Sequence, residues 1–263
     1  MKPTQKELNA ILTTAKAASK EAGDYLLKHF GKNHIHDYDY KEHHEIVTKR
    51  DLAANKIIVK AIKKKFPDHN IISEEAKYKK NSSPFTWYID PLDGTTNYTA
   101  GIPLFAVNIG ITHNNTPVVG VINLPYTKEH CWATLGKGAY CNNKEIKVSK
   151  VRKMKESFIQ LCHAYEKENR LAGAEAVAKI TGKCRVYRRF GCAGVEHTNV
   201  AKGRCEVIAI MGSRSWDNLA GALIIEEAGG QVSDAQGKPW KPTSKTFVAT
   251  NGQVHYQFLE TIR

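Results

Sequence analysis

The stretch Trp87-Tyr88-Ile89-Asp90-Pro91-Leu92-Asp93-Gly94-Thr95-Thr96-Asn97 is where this sequence most plainly offers chemistry. An apolar strand runs into an aspartate, a proline, a second aspartate and then Gly-Thr-Thr. Asp90 and Asp93 are expected to flank a tight turn, so that both carboxylates and the Leu92 carbonyl converge on one point. Hard oxygen ligands at such a point suit Mg2+, which takes a few carboxylates together with waters and a phosphate oxygen. Gly94-Thr95-Thr96 follows at once with free backbone N–H groups, a natural anion cradle. The plain alternative is a strand-end turn with solvated aspartates, because Asp-Pro and Asp-Gly are common turn pairs. Two further blocks weigh against it. Ile71-Ile72-Ser73-Glu74-Glu75 puts two acids at the end of another apolar strand, and Trp216-Asp217-Asn218 opens a helix with a carboxylate. Alone, Asp217 reads as an N-cap. Together, acids at strand ends and helix starts are what a multi-metal phosphate site needs, since each cation must be balanced.

Hydrophobic periodicity outlines the scaffold for these side chains. Thr4 with Glu7 makes a capping box ahead of Leu8, Ile11, Leu12, Ala15, Ala18, Ala22, Tyr25 and Leu26 at helical spacing, with Gly31 as the stop. The polar stretch 32–45 holds His34, His36, His43 and His44 without fixed ligand spacing, and reads as a loop rather than a metal site. A second helix starts near Thr48, turns Leu52, Ile57, Ile58, Ala61 and Ile62 inward, and ends at Phe66-Pro67. Strands are expected at 70–73, 86–90, 105–113, 117–124, 130–135 and 157–163, with His113-Asn114-Asn115-Thr116 as a hairpin turn. The pattern then alternates, with helices at 167–180, 195–201 and 218–228, strands at 206–210 and 246–250, and a closing helix at 254–262. Strands in a run first and mixed with helices later predict an α/β fold of layered helices and sheets. We expect an N-terminal sub-domain over 1–150 with most of the candidate ligands, and a C-terminal one over 151–263 with Asp217 and a substrate pocket.

Composition narrows the class. At 263 residues the chain suits one large domain or two small ones. The net charge of +13 admits a nucleic-acid or membrane partner, or a solvated Lys-rich surface that attracts anionic substrates. The lysines are scattered, and the densest run, Lys63-Lys64-Lys65, ends a predicted helix where cations complement the dipole. The solvated-surface reading follows. No window approaches the ~18 apolar residues of a membrane helix. Six cysteines show no Cys-x-x-Cys pair and no zinc spacing with histidine. The polar, Lys-bearing start is not a secretory signal. A cytoplasmic protein with reduced thiols is therefore expected, which makes the Asn-x-Ser/Thr matches at Asn81, Asn97 and Asn114 chance occurrences.

Asp90-Pro91-Leu92-Asp93-Gly94-Thr95-Thr96-Asn97, Ser73-Glu74-Glu75, and Trp216-Asp217 with Glu227-Ala228-Gly229-Gly230 resemble the blocks of the inositol monophosphatase family, in order and over nearly the whole chain. The resemblance implies an inositol monophosphatase/fructose-bisphosphatase-like sandwich of alternating helix and sheet layers. It implies a phosphomonoester hydrolase working with two to three Mg2+ ions. The implied metal ligands are Glu74, Asp90, the Leu92 backbone oxygen, Asp93 and Asp217. Val47-Thr48-Lys49-Arg50-Asp51 matches the family's upstream-helix block, which implies that Asp51 and Thr95 orient the attacking water. The physics agrees, since metals lower the pKa of water and clamp an in-line displacement, and Glu74 can help to accept the water's proton.

Implied substrate contacts fall on Asp93, Gly94, Thr95, Gly191, Cys192 and Ala193, with Cys192 as pocket lining and not as nucleophile. His163, Arg188, Arg189 and Arg214 can add positive charge nearby, which suits a bisphosphate or a nucleotide. The leading substrate implied is inositol 1-phosphate; fructose 1,6-bisphosphate, 3′-phosphoadenosine 5′-phosphate and histidinol phosphate are the alternatives. Members acting on inositol phosphate usually carry a glutamate shortly before the Trp-Asp pair, and Ile210 stands there in this chain. Arg189-Phe190-Gly191-Cys192-Ala193-Gly194 also looks like members active on both inositol phosphate and fructose bisphosphate. A reading from a different class is a basic, non-catalytic RNA-binding module on the same fold. The intact acid set opposes it, because converging carboxylates repel phosphate unless metal is present. A homodimer is also implied, with a small phosphorylated substrate and no nucleic-acid or membrane partner.

Overall fold

The computed structural model describes residues 2–32, 38–41 and 45–263, so His34, His36, His43 and His44 lie outside the described residues. Helix α1 (Gln5–His29) begins with the expected box, the Thr4 hydroxyl accepting from the Glu7 amide and the Glu7 carboxylate from the Thr4 amide. Its stripe of Ile11, Ala15, Ala18, Ala22 and Leu26 is wholly buried. Gly31 follows at φ 72°, the left-handed conformation that ends helices. A two-residue ribbon, β1 (Asp39–Tyr40) against β2 (Ile46–Val47), leads to α2 (Lys49–Lys65), which is capped by Thr48. Ile58 and Ile62 of α2 are buried as expected, but Leu52 is 43% exposed. The inward stripe runs through Asp51, Ala54, Asn55, Ile58 and Ile62, and Leu52 lies off it.

The first sheet has seven strands in spatial sequence: β3 (Asn70–Ser73), β4 (Phe85–Asp93), β5 (Ala106–His113), β6 (Thr116–Leu124), β7 (Glu129–Thr134), β8 (Ala139–Cys141) and β9 (Lys144–Glu145). Only β3 and β4 run parallel. Asn114 and Asn115, at φ 48° and 64°, make the expected hairpin turn between β5 and β6. A short helix, α3 (Thr95–Thr99), follows β4. The second sheet comprises β10 (Phe158–His163), β11 (Val186–Arg188), β12 (Val207–Met211), β13 (Gln231–Ser233) and β14 (Thr246–Thr250), in the order β11-β10-β12-β14-β13. Helices α4 (Lys167–Ile180), α5 (Ala193–Ala201), α6 (Ser215–Glu227) and α7 (His255–Ile262) complete the chain. The periodicity did not reveal β8, β9, β11 or β13. Each is two or three residues long and partly exposed, too short to show an alternation.

Three buried clusters define five layers. Side chains of α1 and α2 meet one face of the first sheet, where Val107, Ile109 and Ile111 of β5 point. Helices α5 and α6 fill the space between the sheets, and α4 and α7 cover the outer face of the second sheet. The layered sandwich expected from the sequence is the fold observed.

Two glycines let α6 approach the first sheet. A Cβ on Gly110 would stand 2.3 Å from the Leu219 side chain, and one on Gly120 2.6 Å from the Ala220 carbonyl. The close approach carries Asp217, in the first turn of α6, to the sheet that holds Asp90.

One expectation from composition is overturned. Cys131 and Cys141 are register partners across β7 and β8 and are joined by a disulfide, so six free thiols become four. Directly opposed strand residues bring their Cβ atoms within bonding reach, an adjacency that the spacing in the chain does not display.

Gly120→Ala should lower thermal stability by about 1–3 kcal/mol, the usual range for an inserted methyl that must displace backbone. Calorimetry on the two proteins checks this. An unchanged Tm would mean that α6 is not seated on Gly120.

Candidate active site

Strand β4 carries the first two candidate ligands by an unexpected route. The sequence suggests a tight turn at Asp90–Asp93, but the strand continues through Asp93 with an irregularity: Asp90 pairs with Asn108, and Asp93 with Ala106. Three steps on β4 thus match two on β5, a one-residue bulge. In an unbroken strand a separation of three would aim the two carboxylates at opposite faces. The extra residue puts both on one face. Glu74 arrives from the neighbouring strand, its amide donating to the Ile89 carbonyl at 3.1 Å. Asp217 comes from α6; the structure makes Arg214 the N-cap and places Asp217 inside the first turn.

Glu74, Asp90 and Asp217 offer carboxylate oxygens that all lie within 4.8 Å of one another. Burial, then the Glu74 charge, pushes the carboxyls of Asp90 and Asp217 well above their ordinary value. Glu75 is raised to about 7 by burial and by Glu74. Three mutually repelling hard-oxygen donors in a cleft fit a divalent cation such as Mg2+.

Asp93 belongs to the cleft but stands outside that trio, because its carboxylate is drawn to the start of α5. Oδ1 accepts from the Ala193 amide at 3.1 Å, and Oδ2 from the Gly194 amide and from Asn108 Nδ2 at 2.9 Å. Gly194 is required there, since a Cβ would lie 2.5 Å from Asn108 Oδ1. Gly94, at φ 83°, turns the chain from β4 into α3, and a Cβ on it would lie 2.8 Å from the Leu104 carbonyl. Cys192 sits buried beside Asp93, and burial followed by the Asp93 charge pushes its thiol well up. It is protonated lining.

Asp51 and Thr95 meet as expected. The Thr95 hydroxyl lies 2.9 Å from Asp51 Oδ1 and 2.9 Å from the Leu92 carbonyl, and can donate its proton to either. The other Asp51 oxygen accepts from the Thr48 amide at 2.9 Å and from its hydroxyl. Asp51 is thereby fixed as the third residue of the α2 capping box. Burial raises it to about 6, against the lowering effect of Thr48 and Thr95.

The cleft encloses about 690 Å³, and its lining includes Leu92, Gly94, Thr95, Gly191, Cys192 and Ala193 together with the acids. His163, Arg189, Arg214 and Ile210 also line it. Arg188 does not; its guanidinium donates to the Tyr187 carbonyl on another surface. Glu227, part of the most C-terminal block, serves structure by accepting the Gly136 and Gly138 amides at 2.6 and 2.7 Å. Sequence reasoning missed Lys41, whose ammonium bonds Glu74 at 2.8 Å and Glu75 at 2.6 Å. It missed Tyr165 too, whose hydroxyl meets that of Thr96 at 2.9 Å. Neither sits in a recognisable pattern.

The chain that carries these acids has relatives among known proteins. The model of the inositol monophosphatase family matches residues 7–263. The chain belongs to the inositol monophosphatase family. It is 32% identical over 260 residues to the chloroplastic phosphatase IMPL1 of Arabidopsis thaliana, covering 96% of this chain and 70% of that one. It is 32% identical over 257 residues to a fructose-1,6-bisphosphatase/inositol-1-monophosphatase of Aquifex aeolicus, covering 97% and 96%. The solved structure of inositol monophosphatase from Anabaena superposes with a TM-score of 0.86 at 31% identity, covering 97% and 96% of the two chains. The family and its fold are therefore shown for this chain.

The raised carboxyls predict a pH effect. An acid whose folded pKa exceeds its unfolded value costs stability as pH climbs from near 4 through about 6 for Asp51 and about 7 for Glu75. Asp90 and Asp217, raised as well, add to that cost, and a cation held by them and Glu74 offsets it, so the rise in Tm caused by saturating Mg2+ should be larger at pH 8 than at pH 6. Scanning calorimetry at both values checks it; an equal or reversed effect would contradict the assignment.

Proposed function

We propose that the protein hydrolyses a small phosphomonoester, with Mg2+ held by Glu74, Asp90 and Asp217 and the nucleophilic water oriented by Asp51 and Thr95. The observation that carries this reading is the convergence of the three carboxylates beside the Asp51–Thr95 pair. When bound, Mg2+ supplies Lewis acidity that lowers the pKa of water and offsets phosphate charge. The protein supplies the rest. Thr95 donates its proton to Asp51 Oδ1, which leaves its own lone pairs to accept from the attacking water. Asp51, at about 6, is suited to take a proton near neutral pH. Glu74, which lines the cleft, is a second acceptor.

Asp93, held by the Ala193 and Gly194 amides and by Asn108, completes the ligand set. With the Leu92 carbonyl, this donor set supports two to three ions. The amides of Gly94 and Thr95 hold phosphate oxygens, while Gly191, Cys192 and Ala193 form the wall that the rest of the substrate meets. Ala193 contributes its side-chain face, as its amide is engaged with Asp93. The same reading takes the protein as a cytoplasmic homodimer, on the family likeness.

Inositol 1-phosphate is the reference substrate that the family suggests. Ile210 in the cleft wall and Arg189 at the rim favour a second reading, a bisphosphate such as fructose 1,6-bisphosphate. Phosphate release should be measured from both, and from 3′-phosphoadenosine 5′-phosphate and histidinol phosphate, with and without Mg2+. Release should require Mg2+, and Asp51→Asn should lower kcat by roughly 10²–10⁴-fold, the range for a lost general base. No release from any substrate by folded, Mg2+-bound protein would contradict the reading and favour a non-catalytic binding module.

A further inference from the structure

The cleft wall at Gly191, Cys192 and Ala193 belongs to the short run of chain that joins β11 to α5. Gly191 carries it round at φ 70°, and α5 starts at Cys192 without a side-chain cap. A run with no ladder of its own is placed by what its backbone groups bond to. The Ala193 and Gly194 amides go to Asp93, on the first sheet. The Phe190 carbonyl accepts from Asn97 Nδ2, on α3, at 2.7 Å. The Phe190 amide donates to Glu196 Oε1, on α5, at 2.7 Å. Asn97 and Glu196 therefore grip Phe190 from its two ends.

Glu196 is the least ordinary of these partners. It is wholly buried, and it has no ion-paired cation among the described residues. Its place in the first turn of α5 favours an acid, because the helix dipole is positive there. Besides the Phe190 amide, its carboxylate meets the Cys162 thiol of β10, which lies 2.9 Å from Oε2 and 3.1 Å from Oε1. Burial pushes that thiol well above its ordinary value, so it keeps its proton and donates. The Glu196 backbone carbonyl accepts from Gln160 Nε2, also of β10, at 2.9 Å. One residue thus joins α5, the second sheet and the cleft wall.

Keeping an acid there is costly. Burial lifts Glu196 to about 7, against the lowering effect of Cys162 and Phe190. An apolar side chain would fill the space without that cost, but it could accept from neither partner. What the carboxylate adds is a fixed acceptor for the amide that leads into the wall.

We propose that Glu196 is a positioning residue for substrate selection. By holding the Phe190 amide it fixes Gly191, Cys192 and Ala193 at one distance from the acids, and so sets how the alcohol portion of the phosphomonoester is bound. Glu196 touches neither the reacting atoms nor the candidate metal ligands, so its effect falls on KM and not on kcat. This rests on the hydrolase reading above.

Glu196→Ala removes the acceptor, and Glu196→Gln returns one, its amide oxygen, to the Phe190 amide. Steady-state kinetics with Mg2+ compare inositol 1-phosphate, whose ring extends towards the wall, with methyl phosphate, which has nothing to place there. In Glu196→Ala the KM for inositol 1-phosphate should rise by about tenfold or more, the scale of one lost bond to a buried charge. Its kcat should stay within about twofold, and both constants for methyl phosphate should hold. Glu196→Gln should recover most of the KM. Asn97→Ala, which releases the Phe190 carbonyl, should raise the same KM, and replaces Glu196→Ala if that variant does not fold. Equal changes on the two substrates, a fall in kcat at constant KM, or a lower Tm with neither constant moved would overturn the proposal, since a merely structural role gives these. Should the wild type release no phosphate from inositol 1-phosphate, calorimetric titration with Ca2+ in place of Mg2+ reads the wall without turnover, with inorganic phosphate as the ring-free reference. Binding of inositol 1-phosphate alone about tenfold weaker in Glu196→Ala would uphold the positioning role even if the hydrolase reading falls. Equal binding by the two proteins, or no preference of the wild type for inositol 1-phosphate over phosphate, would overturn it.

Discussion

Repulsion among Glu74, Asp90 and Asp217 is the constraint around which the rest of this protein is arranged. At separations of up to 4.8 Å, each ionised pair repels by roughly 3 kcal/mol at an effective dielectric of about 20. Three such pairs together rival the 5–15 kcal/mol by which a typical domain is stable. The cluster therefore exists only with protons, a cation or a positive side chain in place. The raised carboxyls of Asp90 and Asp217 and the bonds from Lys41 to Glu74 and Glu75 are two of those solutions, visible together. A divalent metal is the third, and the one that would turn repulsion into a binding site.

Bringing the acids together is the work of the layered fold. No local segment does it: Glu74 follows β3, Asp90 rides β4 and Asp217 opens α6, and the last of these belongs to the second half of the chain. The bulge between Asp90 and Asp93 turns both carboxylates to one face, and Gly110 and Gly120 let α6 sit close enough to deliver the third acid. Asp93 then ties the sheet to the start of α5, so the wall formed by Gly191, Cys192 and Ala193 is registered against the acids by hydrogen bonds rather than by loop packing alone. Shape and charge at the site come from the same few contacts.

Much of this was legible in the sequence, for physical reasons that also set the limit. Long amphipathic segments with caps announce themselves; the helix at Lys167–Ile180 and the strand at Thr246–Thr250 match the periodicity residue for residue. The acid blocks were legible because ligand chemistry restricts residue type and spacing together, and Asp51 and Thr95 stand within hydrogen-bond reach as the resemblance implied. Contacts between distant segments were not. Nothing local marks Lys41 as the partner of Glu74, His163 as the acceptor for Arg189, or Cys131 as opposite Cys141. The bulge resembles a turn in the sequence because proline and glycine near aspartate signal both. Leu52 faces outward against its periodicity because an apolar residue at a helix start fits either face until packing chooses.

The most direct measurement is anomalous diffraction from crystals grown with Mn2+, a scatterer that takes the same oxygen ligands as Mg2+. The account predicts a manganese peak within bonding distance of carboxylate oxygens from all three of Glu74, Asp90 and Asp217. A cleft without manganese under saturating conditions, with Lys41 still bonded to Glu74 and the other two acids protonated, would contradict it.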